Sequence, residues 1–175
     1  ARQVSLTELG SIKINKEERA KMLKTIPRNS IIGFLIGVLP GAGATIASFL
    51  AYGMERNLVS DEEKEKFGKG SVHGLAAPET ANNAACSGAF VPLLTLGIPG
   101  SGTTAVMLGA LLGFGIQPGP RLYVTNPEIF WSVIMSMYIG MVILLILNLP
   151  LIPYIARILA VPKNYLIPLI LFFSI

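Results

Sequence analysis

The sequence predicts an all-α integral membrane protein, a multi-span helical bundle with re-entrant or broken helices at Pro-Gly motifs. Three observations predict it. The first is composition: of 175 residues, 52% are hydrophobic and 14% charged, and the mean hydropathy is +0.62. Soluble domains carry roughly a quarter of charged residues. The second is charge placement. Eleven of the 14 Lys and Arg lie in the first 69 residues, whereas positions 71–175 carry only Glu79, Arg121, Glu128, Arg157 and Lys163. The uncharged runs 29–54, 80–120 and 129–156 are each long enough to cross a bilayer, which takes about 20 residues. The third is a device used twice, Pro40-Gly41-Ala42-Gly43 and Pro99-Gly100-Ser101-Gly102, each in a run too apolar for a surface turn. Proline removes a backbone donor and glycine admits conformations that other residues avoid, so each motif predicts a helix interrupted within the membrane.

Residues 1–29 read as a cytoplasmic connecting loop. Asn15 followed by Glu18 resembles a capping box, which predicts a short helix over 16–24 that Pro27 ends. Residues 30–53 are apolar and flanked on both sides by basic residues: Lys21, Lys24 and Arg28 before, Arg56, Lys64, Lys66 and Lys69 after. If both flanks stay on the positive-inside face, the segment enters and returns. That favours a re-entrant hairpin with Pro40–Gly43 at its tip over a single kinked span. Each half reaches about 15 Å, the bilayer midplane.

Residues 54–74 form a charged cytoplasmic surface segment, where Ser60 with Glu63 and Glu62 with Lys66 predict a short helix. Residues 75–117 open with Pro78 and Glu79, which suit a first helical turn. One helix over the whole uncharged run would measure about 60 Å, twice the hydrocarbon thickness, so the run reverses or breaks at Pro99-Gly100. Residues 117–120 (QPGP) end that unit in a turn. Residues 129–149 read as a plainer span. The stretch 151–175 reads as a bent helix at Pro150, Pro153 and Pro162 and the start of a further span. Tyr123, Trp131, Tyr154 and Tyr165 fall near span ends, as aromatic belts do. The chain opens in a loop and stops within an apolar run, which suggests a piece of a longer protein.

Several function classes lack their residues. The pI of about 9.3 comes without aromatic residues among the basic ones, which argues against nucleic acid and for a cytoplasmic face. Cys86 is the one cysteine and His73 the one histidine, so no disulfide framework and no zinc or other metal site is expected. No Ser/His/Asp arrangement is evident, no catalytic residue is assigned, and no cofactor is expected. The Pro40 motif lacks the Gly-Lys-Ser/Thr of a phosphate-binding loop.

The candidate chemistry is therefore binding. A helix that restarts after a break presents free N–H groups and a positive dipole end, which suit a carboxylate. The substrate-binding candidates are Pro40, Gly41, Ala42, Gly43, Thr45, Asn82, Asn83, Pro99, Gly100, Ser101, Gly102, Thr103 and Thr104. Glu79, Asn82, Asn83 and Ser101 are candidates for a coupling cation, Na+ or H+, because ionisable groups within a membrane are costly unless used. The competing reading of the Pro-Gly motifs is helix packing alone, in a channel or assembly subunit. For Glu79 and the two asparagines it is ordinary capping and hydrogen bonding. His73 reads as a solvated or structural residue, with proton handling as the alternative.

Residues 37–52 (GVLPGAGATIASFLAY), Glu55, 67–70 (FGKG), 76–84 (AAPETANNA), 92–104 (PLLTLGIPGSGTT) and 115–122 (GIQPGPRL) together resemble the TctA family. That family is the large membrane subunit of bacterial tripartite tricarboxylate transporters. Thr80 departs from it, standing where a small residue such as Ala is expected. The resemblance implies the C-terminal half of an internally repeated transporter in the bacterial inner membrane, driven by an ion gradient. It also implies a small membrane subunit, a periplasmic solute-binding protein and an organic carboxylate such as citrate as partners.

Overall fold

The computed structural model describes residues 14–156 and 163–174. Residues 1–13 of the predicted connecting loop, and the connector 157–162 with Arg157 and Pro162, lie outside the described residues. All regular structure among the described residues is helical, with no strand. Two compact units divide the chain, one covering 14–134 and the other, among the described residues, everything from Met135 onward.

The first unit is built on three packed helices, α1 (Lys16–Val38), α2 (Gly43–Leu58) and α4 (Val72–Gly88). Thr25 lies thirteen residues before the end of α1 and Glu55 twelve after the start of α2, and their side chains touch at 2.9 Å. The two helices therefore run antiparallel as a hairpin whose arms extend about 20 Å beyond that contact. What lets them and α4 approach is the absence of side chain. Thr25, Asn29, Gly33 and Gly37 form the buried stripe of α1, Ala47 and Ala51 that of α2, and Ala77, Ala81, Ala85 and Gly88 that of α4. A Cβ on Gly33 would lie 2.5 Å from the Ala81 Cα, and one on Gly37 the same distance from the Ala85 Cα. Only glycine fits there.

Two helix starts and stops differ from expectation. α1 does not end at Pro27 but passes through it to Val38. α4 starts at Val72, because the Ser71 hydroxyl accepts the Gly74 N–H at 3.1 Å, so Pro78 and Glu79 sit in its interior and not in its first turn. In both helices the buried stripe continues across the proline, and packing of that stripe outweighs one lost backbone bond. At the amino end of α1 the Glu18 carboxylate accepts the Asn15 N–H at 2.8 Å, as the capping pattern predicts.

The short α3 (Asp61–Lys64) and its loop close the hairpin's open end. Lys21 meets Glu17 at 2.9 Å and Glu63 at 3.1 Å, and Lys66 meets Glu63 at 2.7 Å and Glu62 at 3.7 Å. Beyond α4, the chain continues through α5 (Phe90–Leu96), α6 (Gly102–Gly113) and the short α7 (Leu122–Thr125). The run 80–120 is thus divided among α4, α5 and α6, and the run 29–54 between α1 and α2. Among the described residues one helix is both long and apolar enough to cross a membrane by itself, α8 (Pro127–Ala156), whose stretch Pro127–Ile152 has a mean hydropathy of 2.4. It continues past the predicted end at residue 149, through Pro150 and Pro153.

The second unit contains the later part of α8 and α9 (Lys163–Phe173). Where its side chains are described they are almost wholly apolar and, apart from the half-buried Met137, exposed, for example Ile143, Leu144, Leu145 and Ile146.

Candidate functional site

Both Pro-Gly motifs break their helices. At the first, α1 stops at Val38, Ala42 N–H returns to the Leu39 carbonyl at 3.2 Å, and α2 starts at Gly43. Gly41 and Gly43 have φ of 85° and 67°, and a Cβ on either would meet nothing within 4 Å. Glycine is required here for backbone conformation and not for space. At the second, Gly97 turns left-handed at φ 72° and ends α5, with Gly97 N–H bonded to the Leu93 carbonyl and Ile98 N–H to that of Pro92, both at 3.1 Å. Gly100 is buried, and a Cβ there would lie 3.2 Å from the Ala89 Cβ and 3.5 Å from the Gly37 carbonyl oxygen.

The two breaks touch. Gly41 N–H donates to the Gly100 carbonyl at 3.3 Å, joining residues 59 positions apart. Around this contact Pro40, Gly41, Thr45, Gly102 and Thr103 are exposed, and Ala42, Gly43, Pro99 and Ser101 are half-buried. Thr104 is buried and its hydroxyl is already used: it accepts Ser101 N–H at 2.8 Å and donates to the Ser101 carbonyl at 2.9 Å. The Ser101 hydroxyl in turn accepts Thr104 N–H at 3.3 Å, capping α6. At the start of α2 no side chain caps the helix, and its first turn carries no acid. Two helix amino ends with unneutralised positive dipoles therefore begin beside one backbone contact, an arrangement that favours an anion.

Glu79, Asn82 and Asn83 are not at the contact. They occupy the exposed face of α4, opposite its alanine stripe. The Asn83 amide donates to the Glu79 carbonyl at 2.9 Å, a local helical bond. Gly88, by contrast, packs at the first break, where a Cβ would lie 3.1 Å from the Val38 nitrogen. Glu79 is nine residues before Gly88, about 13 Å along the helix.

A second polar centre sits at the base of the three helices, and it gives His73 a partner. Glu55 is fully buried. Its Oε1 accepts from Arg28 Nη2 at 2.6 Å and Thr25 Oγ1 at 2.9 Å, and its Oε2 from Asn29 Nδ2 at 2.9 Å and Arg28 Nε at 3.2 Å. His73 Nδ1 lies 2.7 Å from Thr25 Oγ1 and 3.1 Å from Glu55 Oε1. A carboxylate only accepts, so Thr25 donates to Glu55 and accepts from a protonated Nδ1. That tautomer satisfies every contact. Burial pushes the Glu55 carboxyl up, but hydrogen bonds from Arg28, Asn29 and Thr25, with the Arg28 charge, outweigh it and hold the group below the usual carboxylate range. α1, α2 and α4 each contribute to this clasp.

The sequence offered a signal for the clasp. Thr25, Arg28 and Asn29 are spaced three and four apart, on one helical face, ahead of an apolar run. Their partners come from 26 to 48 residues away, which a single sequence does not pair. The spacing of Gly33 with Gly37, and of Ala77, Ala81 and Ala85, likewise marks small-residue faces suited to close helix packing.

The description of the matching family model reads "Tripartite tricarboxylate transporter TctA family", and it covers residues 2–175. A relative from Agrobacterium vitis, an uncharacterized 52.8 kDa protein in the TAR-I ttuC' 3' region, is 42% identical over 99% of this chain and 34% of its own length. A second from the same organism, an uncharacterized protein in the TAR-II ttuC' 3' region, is 46% identical over 81% of this chain and 58% of its own length. The chain therefore spans about a third and somewhat over half, respectively, of these curated relatives. No solved structure matches it.

Proposed function

The chain belongs to the TctA family of tripartite tricarboxylate transporters, and from that premise we propose that it forms part of the translocation subunit of a secondary active carboxylate transporter. In this reading the subunit is a multi-pass protein of the bacterial inner membrane. It takes an organic acid, a tricarboxylate such as citrate or a smaller carboxylate, from a periplasmic binding protein. It works beside a small membrane subunit and couples uptake to Na+ or H+.

The observation that carries the reading is the Gly41–Gly100 contact between the two helix breaks. Broken helices that meet, with amino ends that no acidic side chain neutralises and with adjoining carbonyls, are the usual architecture of a transporter's substrate and ion site. The hairpin of α1 and α2 would enter from the cytoplasmic face, which carries the charged clasp and the α3 loop, and bring residues 39–43 to the depth of the midplane. Substrate carboxylate would be held by the amino ends of α2 and α6, with Thr45, Ser101 and Thr103 alongside. Glu79, Asn82 and Asn83 would face a part of the transporter outside this chain, and any role in ion coupling would be exercised there. A packing role is favoured for one position, Gly100, whose missing side chain admits Ala89 and Gly37.

The test is uptake of labelled mono-, di- and tricarboxylates by the intact transporter in membrane vesicles, with sodium and pH gradients imposed separately. Wild type is expected to accumulate at least one carboxylate only under a gradient, and Gly43→Leu and Ser101→Leu to lose uptake while still inserting. Normal uptake by both variants would remove the site, and gradient-independent passage would favour a channel.

A further inference from the structure

Arg121 is the one cation between residues 71 and 156, and among the described residues it makes no ion pair. It lines a cavity of about 470 Å3 together with Gln117, Pro118, Gly119, Pro120 and Thr125. We propose that this cavity is an anion site in which the Arg121 guanidinium receives a carboxylate of the transported acid beside the second helix break. The inference rests on the carboxylate-transport reading and adds to it a residue and a subsite outside the two Pro-Gly motifs.

Three features of the structure argue for it. Arg121 is anchored at its backbone. Its carbonyl accepts the N–H groups of Val124 and Thr125, both at 2.9 Å, and the Thr125 hydroxyl at 3.0 Å. The loop beneath it is fixed to the helix that carries the second break: Gly119 N–H donates to the Leu94 carbonyl at 3.2 Å, and Pro118 and Leu122 are buried. Gly97, the residue that ends that helix, lies so close to this loop that a Cβ on it would meet the Pro118 carbonyl oxygen at 2.7 Å. The guanidinium therefore projects from a rigid base, three residues along the chain from a glycine-only contact with the 97–100 break. An unpaired guanidinium beside the Gln117 amide matches the planar, bidentate geometry of a carboxylate. The other Lys and Arg of the same unit all lie at or before Lys69, where Lys21, Arg28 and Lys66 hold acidic partners, so Arg121 is the one Lys or Arg between residues 71 and 134. A second or third carboxylate on the substrate gives such a site something to select.

The experiment compares wild type, Arg121→Lys and Arg121→Gln in the intact transporter reconstituted in vesicles, with labelled mono-, di- and tricarboxylates. Each preparation is made with neutral lipid alone and with anionic lipid added. Arg121→Gln is expected to raise the half-saturating concentration about tenfold or more for acids with two or three carboxylates, the loss of one charge-assisted pair. Its effect on monocarboxylates should be small, and Arg121→Lys should fall between. The same loss for every acid, or none for any, would overturn the proposal. An effect that depends on anionic lipid and not on the acid would assign the cavity to a lipid phosphate instead. Wild type that takes up no carboxylate under any gradient would overturn the transport reading itself, which separates that failure from failure of the subsite.

Discussion

Glu55 is a buried carboxylate that meets donors from two neighbouring helices, and its consequences are local and measurable. Removing its charge in Glu55→Gln strands Arg28 and the Asn29 amide, and breaking one side of a buried pair costs on the order of 3 kcal/mol. Arg28 retains partial exposure, 37% of its side chain, and can reach water once Glu55 is neutral, whereas Arg28→Ala leaves a fully buried carboxylate without its counter-charge, so Arg28→Ala should cost at least as much as Glu55→Gln. Both are read as a fall in the unfolding midpoint of the detergent-solubilised protein. The pH dependence has a definite sign. Because the folded-state pKa of Glu55 is lowered, its contribution is complete above the unfolded value of about 4.3 and is lost as pH falls through the folded one. The gap between wild type and Glu55→Gln should be constant from neutral pH to about 5 and close below about 4. A gap that widened in acid would contradict the geometry. Glu55 was legible only as one residue of a family-like stretch, and His73 as a lone histidine. Their pairing depends on the return of α2 and α4 to the base of α1, which no local spacing encodes.

For the helices, the decisive contacts are glycines whose missing side chains bring two backbones together. Gly37→Leu places atoms where the Ala85 backbone already lies, and overpacking of that kind costs about 1–3 kcal/mol or forces α1 from α4. Gly109→Ala is the matched control, because a Cβ there meets nothing within 4 Å. It should be neutral or stabilise by up to about 1 kcal/mol through helix propensity. Unfolding midpoints of the two variants check both statements, and equal effects would contradict the packing account. The helix breaks were legible at element scale, since Pro-Gly in an apolar run has few other uses. The continuation of α1 through Pro27 and of α4 through Pro78 was not. Local rules stop a helix at proline, and only the buried stripe spanning each proline explains why these continue.

At the scale of the molecule, charge placement and the two breaks carried the helical, membrane-embedded reading. Segment lengths alone overstated how directly the runs 29–54 and 80–120 become spans, because both are divided among shorter helices. Lys24 and Asn57 are both exposed near the hairpin's open end, so cysteines introduced at the two positions should react with a membrane-impermeant reagent from the same side. Reaction from opposite sides would contradict a hairpin that enters and returns. The central claim is that the meeting point of the two breaks receives the substrate. It is tested most directly by substrate protection in the intact transporter with Cys86→Ala as background. Single cysteines at Ala42 and Thr103, one on each break, are modified with and without a transported carboxylate, and Asn57→Cys serves as control. The account predicts that substrate slows modification at 42 and 103 and leaves 57 unchanged. Equal rates with and without substrate at both 42 and 103, in protein that still takes up the acid, would contradict it.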